Sequence, residues 1–369
     1  MPKVSLLIAA HNEEDCIADR LRNALALDYP VGKLEIVVAS DGSRDCTNEI
    51  VRQFEDEGVR LLAYEQNRGK SSALNASVPQ LNGDIVVFSD ANTHFEPDAI
   101  HRLMRWFNDP HVRVVSGKLL LRDPVTGNNI DSLYWRYETF IKTCEGGLGA
   151  KLGANGAIYA IQRRDYVPLP KNAIIDDFLI PLLIKRKHGG RIVFDAQAIA
   201  HEESPAQMSC EFRRRARIGT GAYQSLVLLW PLLNPVYGWT AFCFFSHKVL
   251  RWLVPFFLLA MVVSNLLLLS QTMFQITLGL QVIFLLVSLV GSHLPGNSLP
   301  IRLIRVSTMF TNMNLALLVG FWRWATTRQT GAWKRTARSI SSVTPLANDG
   351  GTPLAPTSVT VTSKDELSV

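Results

Sequence analysis

Val38-Ala39-Ser40-Asp41-Gly42-Ser43-Arg44-Asp45-Cys46-Thr47 is an apolar run that stops at an acid, turns on a glycine and enters a polar-capped helix start. A turn accounts for Gly42 and helix capping for Ser43 and Asp45, but neither gives Asp41 a structural task. The pattern recurs on both sides. Val4 to Ala10 runs into His11-Asn12-Glu13-Glu14, and Ile85 to Ser89 runs into Asp90-Ala91-Asn92. Val59 to Tyr64 and Val112 to Gly117 read as further strands. Glu13 to Leu27, Asp45 to Glu57, Lys70 to Val78 and Pro97 to Phe107 carry helical spacing. Strands alternating with helices predict an α/β, Rossmann-like, doubly wound domain with a mainly parallel sheet, whose ligands sit at the carboxyl ends of the strands.

Three clusters then carry chemistry. Alternation along an extended segment puts Asp90 and Asn92 on one side, which suits Mg²⁺ or Mn²⁺ that also holds diphosphate oxygens. Asp176 and Asp177 stand between apolar Ile174-Ile175 and Phe178, and apolar surroundings raise a carboxyl pKa toward that of a general base. Arg213-Arg214-Arg215-Ala216-Arg217 precedes Gly219 and Gly221, and guanidinium forks neutralise a departing diphosphate. The plainer readings are a loop cap, a helix N-terminus and lipid-headgroup contact, respectively.

The second half holds the apolar excess of a chain that is 369 residues long and 47% hydrophobic. From Leu250 to Leu269 only Arg251 is charged, and Phe274 to Val290 has no charge, so each is long enough to cross a bilayer core. Met309 to Phe321 is shorter, holds Asn312 and Asn314, and reads as interfacial or re-entrant. His247, Lys248 and Arg251 before the first run, with Arg302 and Arg305 after the second, fit an in-out-in hairpin. The N-terminus enters a strand at Val4 without a long apolar leader, which predicts a cytoplasmic catalytic half on a multi-pass cell-membrane protein. The expected organisation is a catalytic domain over 1–221 and an interfacial amphipathic segment over 222–240. A membrane region follows over 241–325, with helices near 249–270, 274–291 and, as a third candidate, 308–324. The tail over 326–369 is basic, then rich in Ser, Thr and Pro, and is expected to be disordered. Five scattered cysteines without a Cys-x-x-Cys pair predict reduced thiols. The net charge of +6 gathers beside apolar segments, which points to membrane lipid and away from nucleic acid.

Taken in order, the clusters resemble the family 2 inverting glycosyltransferases of GT-A fold, the group of cellulose, chitin and hyaluronan synthases. The resemblance rests on Ala10-His11-Asn12-Glu13, Asp41-Gly42-Ser43 with Asp45 and Thr47, and Asn67-Arg68-Gly69-Lys70 leading to Ala73-Leu74-Asn75. It continues through Ser89-Asp90-Ala91-Asn92, Gly153-Ala154-Asn155-Gly156-Ala157, Asp176-Asp177, Arg214-x-x-Arg217, Ser246-His247-Lys248 and Trp333-Lys334-Arg335-Thr336. It implies nucleotide binding by Ala10, Asn12, Glu13, Asp41, Lys70 and Asp90, with Asp41 on uracil or ribose. Asp90 and Asn92 would hold the metal, with His201 as an additional ligand. Asp177 would be the catalytic base beside Asp176, with Arg214 and Arg217 on the leaving diphosphate. The implied partners are a nucleotide-sugar donor, a lipid-linked or glycan acceptor, and a partner subunit of a polysaccharide biosynthesis system. Two departures stand out: Asn92 replaces a common Asp and removes one negative charge, and Ile218 stands where processive synthases have Trp.

Other classes fit less well. Gly69-Lys70-Ser71 lacks the glycine that a phosphate-binding loop needs at position 64, which is Tyr, and no GxGxxG follows the first strand. A nucleotidyltransferase would need the metal-bound acid but not Asp177 as a base, and a degenerate membrane scaffold would rest on Asn92 and Ile218 alone.

Overall fold

The computed structural model describes residues 1–122, 133–203, 208–291, 294 and 298–326; Trp333-Lys334-Arg335-Thr336 and the expected tail lie outside them. In chain order the elements are β1 (Val4–Ala10), α1 (Ile17–Leu25), β2 (Leu34–Asp41), α2 (Thr47–Arg52), β3 (Val59–Tyr64), α3 (Lys70–Ser77), β4 (Ile85–Asp90), β5 (His94–Phe95) and α4 (Ala99–Met104). There follow β6 (Val112–Arg122), α5 (Leu133–Gly147), β7 (Tyr159–Gln162), α6 (Asp176–His188), β8 (Arg191–Glu203) and α7 (Met208–Leu229). The chain continues through α8 (Trp239–Cys243), α9 (Leu250–Leu267), α10 (Thr272–Val290) and α11 (Leu299–Thr326).

One sheet runs in the order β3-β2-β1-β4-β7-β6-β8-β5. Strands β3, β2, β1 and β4 are parallel, as the alternating pattern predicts. The other half is mixed, because β7 lies antiparallel between β4 and β6, and β5 antiparallel to β8. Every residue of β1 is buried, since helices cover both faces of the sheet. Its alternation divides the core. Leu6 and Ile8 join Ile17, Leu21 and Leu103 on one side, while Leu7 joins Leu74, Leu179 and Tyr223 on the other. Each large side chain so buried stabilises the fold by about 1.5–3 kcal/mol relative to exposure.

The second core layer extends beyond residue 221 without a break. Leu229, Phe244 and Trp252 belong to the same apolar cluster as Phe178 and Leu183 of α6. The stretch expected as a separate amphipathic helix begins inside α7, and short 3₁₀ turns at Trp230–Leu233 and Pro235–Tyr237 follow it. Pro231 and Pro235, which cannot donate to a preceding carbonyl, stand at the start of these turns.

Among the described residues, three helices are long and apolar enough to cross a membrane: Trp239–Leu267, Thr272–Val290 and Pro300–Thr326. The third is longer than its apolar centre suggested and includes Arg302 and Arg305, the cations that follow the second apolar run. His247 and Arg251 do not simply face headgroups. His247 Nδ1 lies 2.5 Å from Glu145 Oε1, and Arg251 Nη1 lies 3.7 Å from Glu138 Oε2, both acids being on α5. Burial works to raise the Glu138 carboxyl, but His247 and Lys248 outweigh it and hold it well below the usual range.

Candidate active site

Three loops at the carboxyl ends of β1, β2 and β3 are tied into one surface. The Asn12 N–H donates to Ser43 Oγ at 3.1 Å, and Asn12 Oδ1 accepts from the Arg44 N–H at 2.8 Å. The Glu13 N–H donates to Thr47 Oγ1 at 2.8 Å, so the first cluster holds the second in place. His11 links all three loops, with Nδ1 2.7 Å from the Asp41 carbonyl oxygen and Nε2 3.0 Å from Asn67 Nδ2. Gly42 is at φ +66°, and a Cβ there would lie 2.3 Å from the Asn67 nitrogen, so only glycine lets the loops approach this closely.

Asp41 has the structural task that the turn and the helix cap did not give it. It is fully buried, and its two carboxylate oxygens accept the Arg68 N–H at 3.0 Å and the Gly69 N–H at 2.7 Å. With each oxygen accepting a backbone N–H, the carboxylate positions the turn that launches α3. Ala10 is likewise fully buried, paired with Ser40 in the β1–β2 register. Asn12 and Glu13 act here through the loop bonds described.

The third loop delivers Lys70 to the acids. Its Nζ donates to Asp90 Oδ1 at 2.7 Å and lies 3.3 Å from Asp176 Oδ2. Burial works to lower the Lys70 pKa, but Asp176 and Asp90 more than offset it and keep the ammonium charged well above its ordinary range. Asp177, next along α6, accepts the Gly156 N–H on Oδ2 at 3.1 Å, while its carbonyl oxygen accepts the Ala154 N–H at 2.8 Å. The glycine-rich segment thus wraps the base candidate. A Cβ on Gly156 would come 3.2 Å from Asp177 Oδ2. Burial, then the neighbouring Asp176, push the Asp177 carboxyl up to about 6, with Lys70 pulling the other way. Tyr159 is buried beside these acids, stacked on Phe88 at 4.6 Å, and its hydroxyl has no hydrogen-bond partner among the described residues.

β4 ends at Asp90, and Ala91 and Asn92 form a turn in which the Thr93 N–H donates to the Asp90 carbonyl oxygen at 3.3 Å. Asp90 and Asn92 are both half-exposed, separated by buried Ala91, and they stand in a turn and not in the extended segment that was expected. His201 does not join them. It is buried on β8, and its Nε2 lies 2.5 Å from Glu96 Oε1. The residue of β8 that reaches the site is the next one: Asn92 Nδ2 donates to Glu202 Oε1 at 2.6 Å. Alternation along the strand sends 201 and 202 to opposite faces, which is why the neighbour and not the histidine arrives. Arg214 and Arg217 are exposed on α7, the helix whose Gly221 packs on Ile175 immediately before the acid pair.

Asp90 and Asn92 offer hard oxygen donors, and among the described residues no group of three His, Cys, Asp or Glu side chains is placed to hold a metal. Two hard oxygen donors suit a divalent cation that keeps most of its coordination for diphosphate oxygens and water.

Residues 5–167 match the family model of Glycosyl transferase family 2. Over that segment the chain is similar to the family 2 glycosyltransferases. It is 27% identical over 237 residues to poly-beta-1,6-N-acetyl-D-glucosamine synthase of Staphylococcus aureus, covering 61% of this chain and 55% of that one. It is 26% identical over 271 residues to beta-monoglucosyldiacylglycerol synthase of a Synechocystis species, covering 69% and 55%. The chain thus spans about half the length of these relatives. The mannosyltransferase PcManGT from Pyrobaculum calidifontis, solved with GDP-Man and Mn²⁺, superposes with a TM-score of 0.61 at 19% identity over 88% of this chain and 87% of that one. That likeness shows a GT-A fold. The matched family 2 segment includes the three loops, Lys70 and the β4 acid, while Asp176, Asp177 and Glu202 lie beyond its end at 167.

Proposed function

We propose that the family 2 domain transfers a sugar from a UDP-sugar to a hydroxyl of a lipid-linked or polysaccharide acceptor at a membrane, with inversion at the anomeric carbon. The convergence of Lys70, Asp90, Asp176 and Asp177 beyond the carboxyl edge of the sheet carries this reading. The two relatives' names specify a polysaccharide and a glycolipid product, and three helices apolar enough to cross a membrane support an acceptor held there.

The nucleoside lies against the surface made by the Asn12, Ser43 and Asn67 loops, whose shape Asp41 and His11 maintain. Asp90 and Asn92 would hold Mn²⁺ or Mg²⁺, which when bound stabilises the negative charge of the diphosphate. Lys70, charged at every working pH, sits where it can neutralise a phosphate oxygen without losing its own carboxylate partners. Asp177 accepts the acceptor hydroxyl proton as the oxygen attacks the anomeric carbon, and its raised pKa matches that task near neutrality. Arg214 and Arg217 are long, flexible cations on the helix that adjoins the acid pair, suited to the leaving diphosphate.

The test is release of UDP from a panel of UDP-sugars by detergent-purified protein with Mn²⁺ or Mg²⁺. Asp177→Asn is expected to lower turnover at least about 100-fold with UDP binding retained, and Asp90→Ala to lower both turnover and metal dependence. Turnover by Asp177→Asn at the wild-type rate would remove the base assignment.

A further inference from the structure

Asn92 is neutral, yet it stands at the end of β4 where a cation-binding carboxylate is the commoner choice. Its carboxamide is held by the carboxylate of Glu202 at 2.6 Å, on β8, the strand that pairs with β5 just after the turn. That contact fixes the orientation of the amide. A carboxylate accepts and cannot donate, so Nδ2 must face Glu202, and Oδ1 is turned away from it. Both side chains are half-exposed, as is Asp90 two positions before, so solvent reaches all three. Aspartate at 92 would bring its charge directly. Here the charge is one hydrogen bond further out.

We infer that Glu202 is a positioning residue for cation binding: it aims the Asn92 carboxamide oxygen and supplies the negative charge that Asn92 lacks. The inference rests on the proposed function only in taking the cation to be the one that accompanies the nucleotide. Partners that orient a ligand from behind raise its donor strength, and their loss commonly weakens metal binding by about 10–100-fold. A merely structural clasp between the β4 turn and β8 would depend on the hydrogen bond and not on where the charge sits.

The experiment is a Mn²⁺ titration of the detergent-purified full chain at saturating UDP, read by the free-Mn²⁺ EPR signal. It compares wild type with Glu202→Ala, Glu202→Gln and the double variant Asn92→Asp with Glu202→Gln. Glu202→Ala is expected to bind about 10–100-fold more weakly. Glu202→Gln keeps a side chain of the same size in place and is expected to unfold at the wild-type temperature. Its binding should weaken in the same direction, which keeps the test alive if the alanine variant does not fold. The double variant moves the carboxylate to position 92 and lets the new amide at position 202 donate to it, so binding is expected to return to within about threefold of wild type. Wild-type affinity in both single variants, a double variant no better than Glu202→Gln, or no Mn²⁺ binding by wild type would each overturn the inference. Turnover plays no part in this readout. A chain that shows the charge-swap rescue but transfers no sugar keeps this inference and loses the functional one; turnover with an affinity indifferent to residue 202 does the reverse.

Discussion

At the scale of single residues, the acid pair at the start of α6 is the most informative feature. Asp176 is held beside the Lys70 ammonium, whereas Asp177 is hydrogen-bonded to a backbone N–H and pushed up to about 6 by burial and its neighbour. A base with a raised pKa is available only above it, so turnover is expected to fall as pH drops through about 6, tenfold per unit below it. Lys70 holds that pKa down, so in Lys70→Met the acid limb of the pH–rate profile should move to higher pH. A limb that stays in place would show that another group titrates. The sequence suggested a raised carboxyl from its apolar neighbours, and that reasoning needed only local composition. The two N–H bonds on Asp41 and the contact of His201 Nε2 with Glu96 were not legible, because both depend on groups 27 or more positions away.

At the scale of elements, the strand-end loops matter more as a set than as individual binding residues. The 67–69 turn has no regular structure of its own and is held by the Asp41 carboxylate through two backbone N–H groups. Asp41→Ala removes the acceptor of the Arg68 N–H and leaves the Gly69 N–H only its 3.2 Å contact to Asn67 Oδ1, a cost of about 1–3 kcal/mol. Since Lys70 begins the helix after that turn, the variant is expected to lose UDP affinity and to unfold several degrees lower. Calorimetry with and without UDP would check both, and an unchanged UDP affinity would separate the turn from the donor site. The parallel half of the sheet was legible from its apolar runs. β7 and β5 were not, since segments of four and two residues carry too little periodicity to be told from loop.

At the scale of the whole molecule, the arginine helix is clamped between the catalytic layer and the apolar helices. Gly320 of α11 lies so close to α7 that an added Cβ would meet the Gly219 carbonyl carbon and the Thr220 nitrogen at 2.7 Å. Tyr223 of α7 packs edge-on against Phe321 at 5.3 Å, and its hydroxyl donates to the Trp252 carbonyl oxygen at 2.7 Å. Gly320→Leu is therefore expected to destabilise the protein by about 1–3 kcal/mol and to lower turnover through α7. Gly279→Leu, with open space around it, should do neither. Thermal unfolding and UDP release in detergent would compare the two; equal behaviour would show that the α7–α11 contact is unimportant. By itself the sequence determined the α/β class, the order of the strand-end clusters and the apolar helices, because these follow from local periodicity and composition. Only the tertiary structure decided which side chain of a neighbouring pair reaches the cleft and which polar groups are already satisfied. It also decided that α7 shares its core with both the sheet and the apolar helices, since burial and hydrogen bonding are settled by residues far apart in the chain.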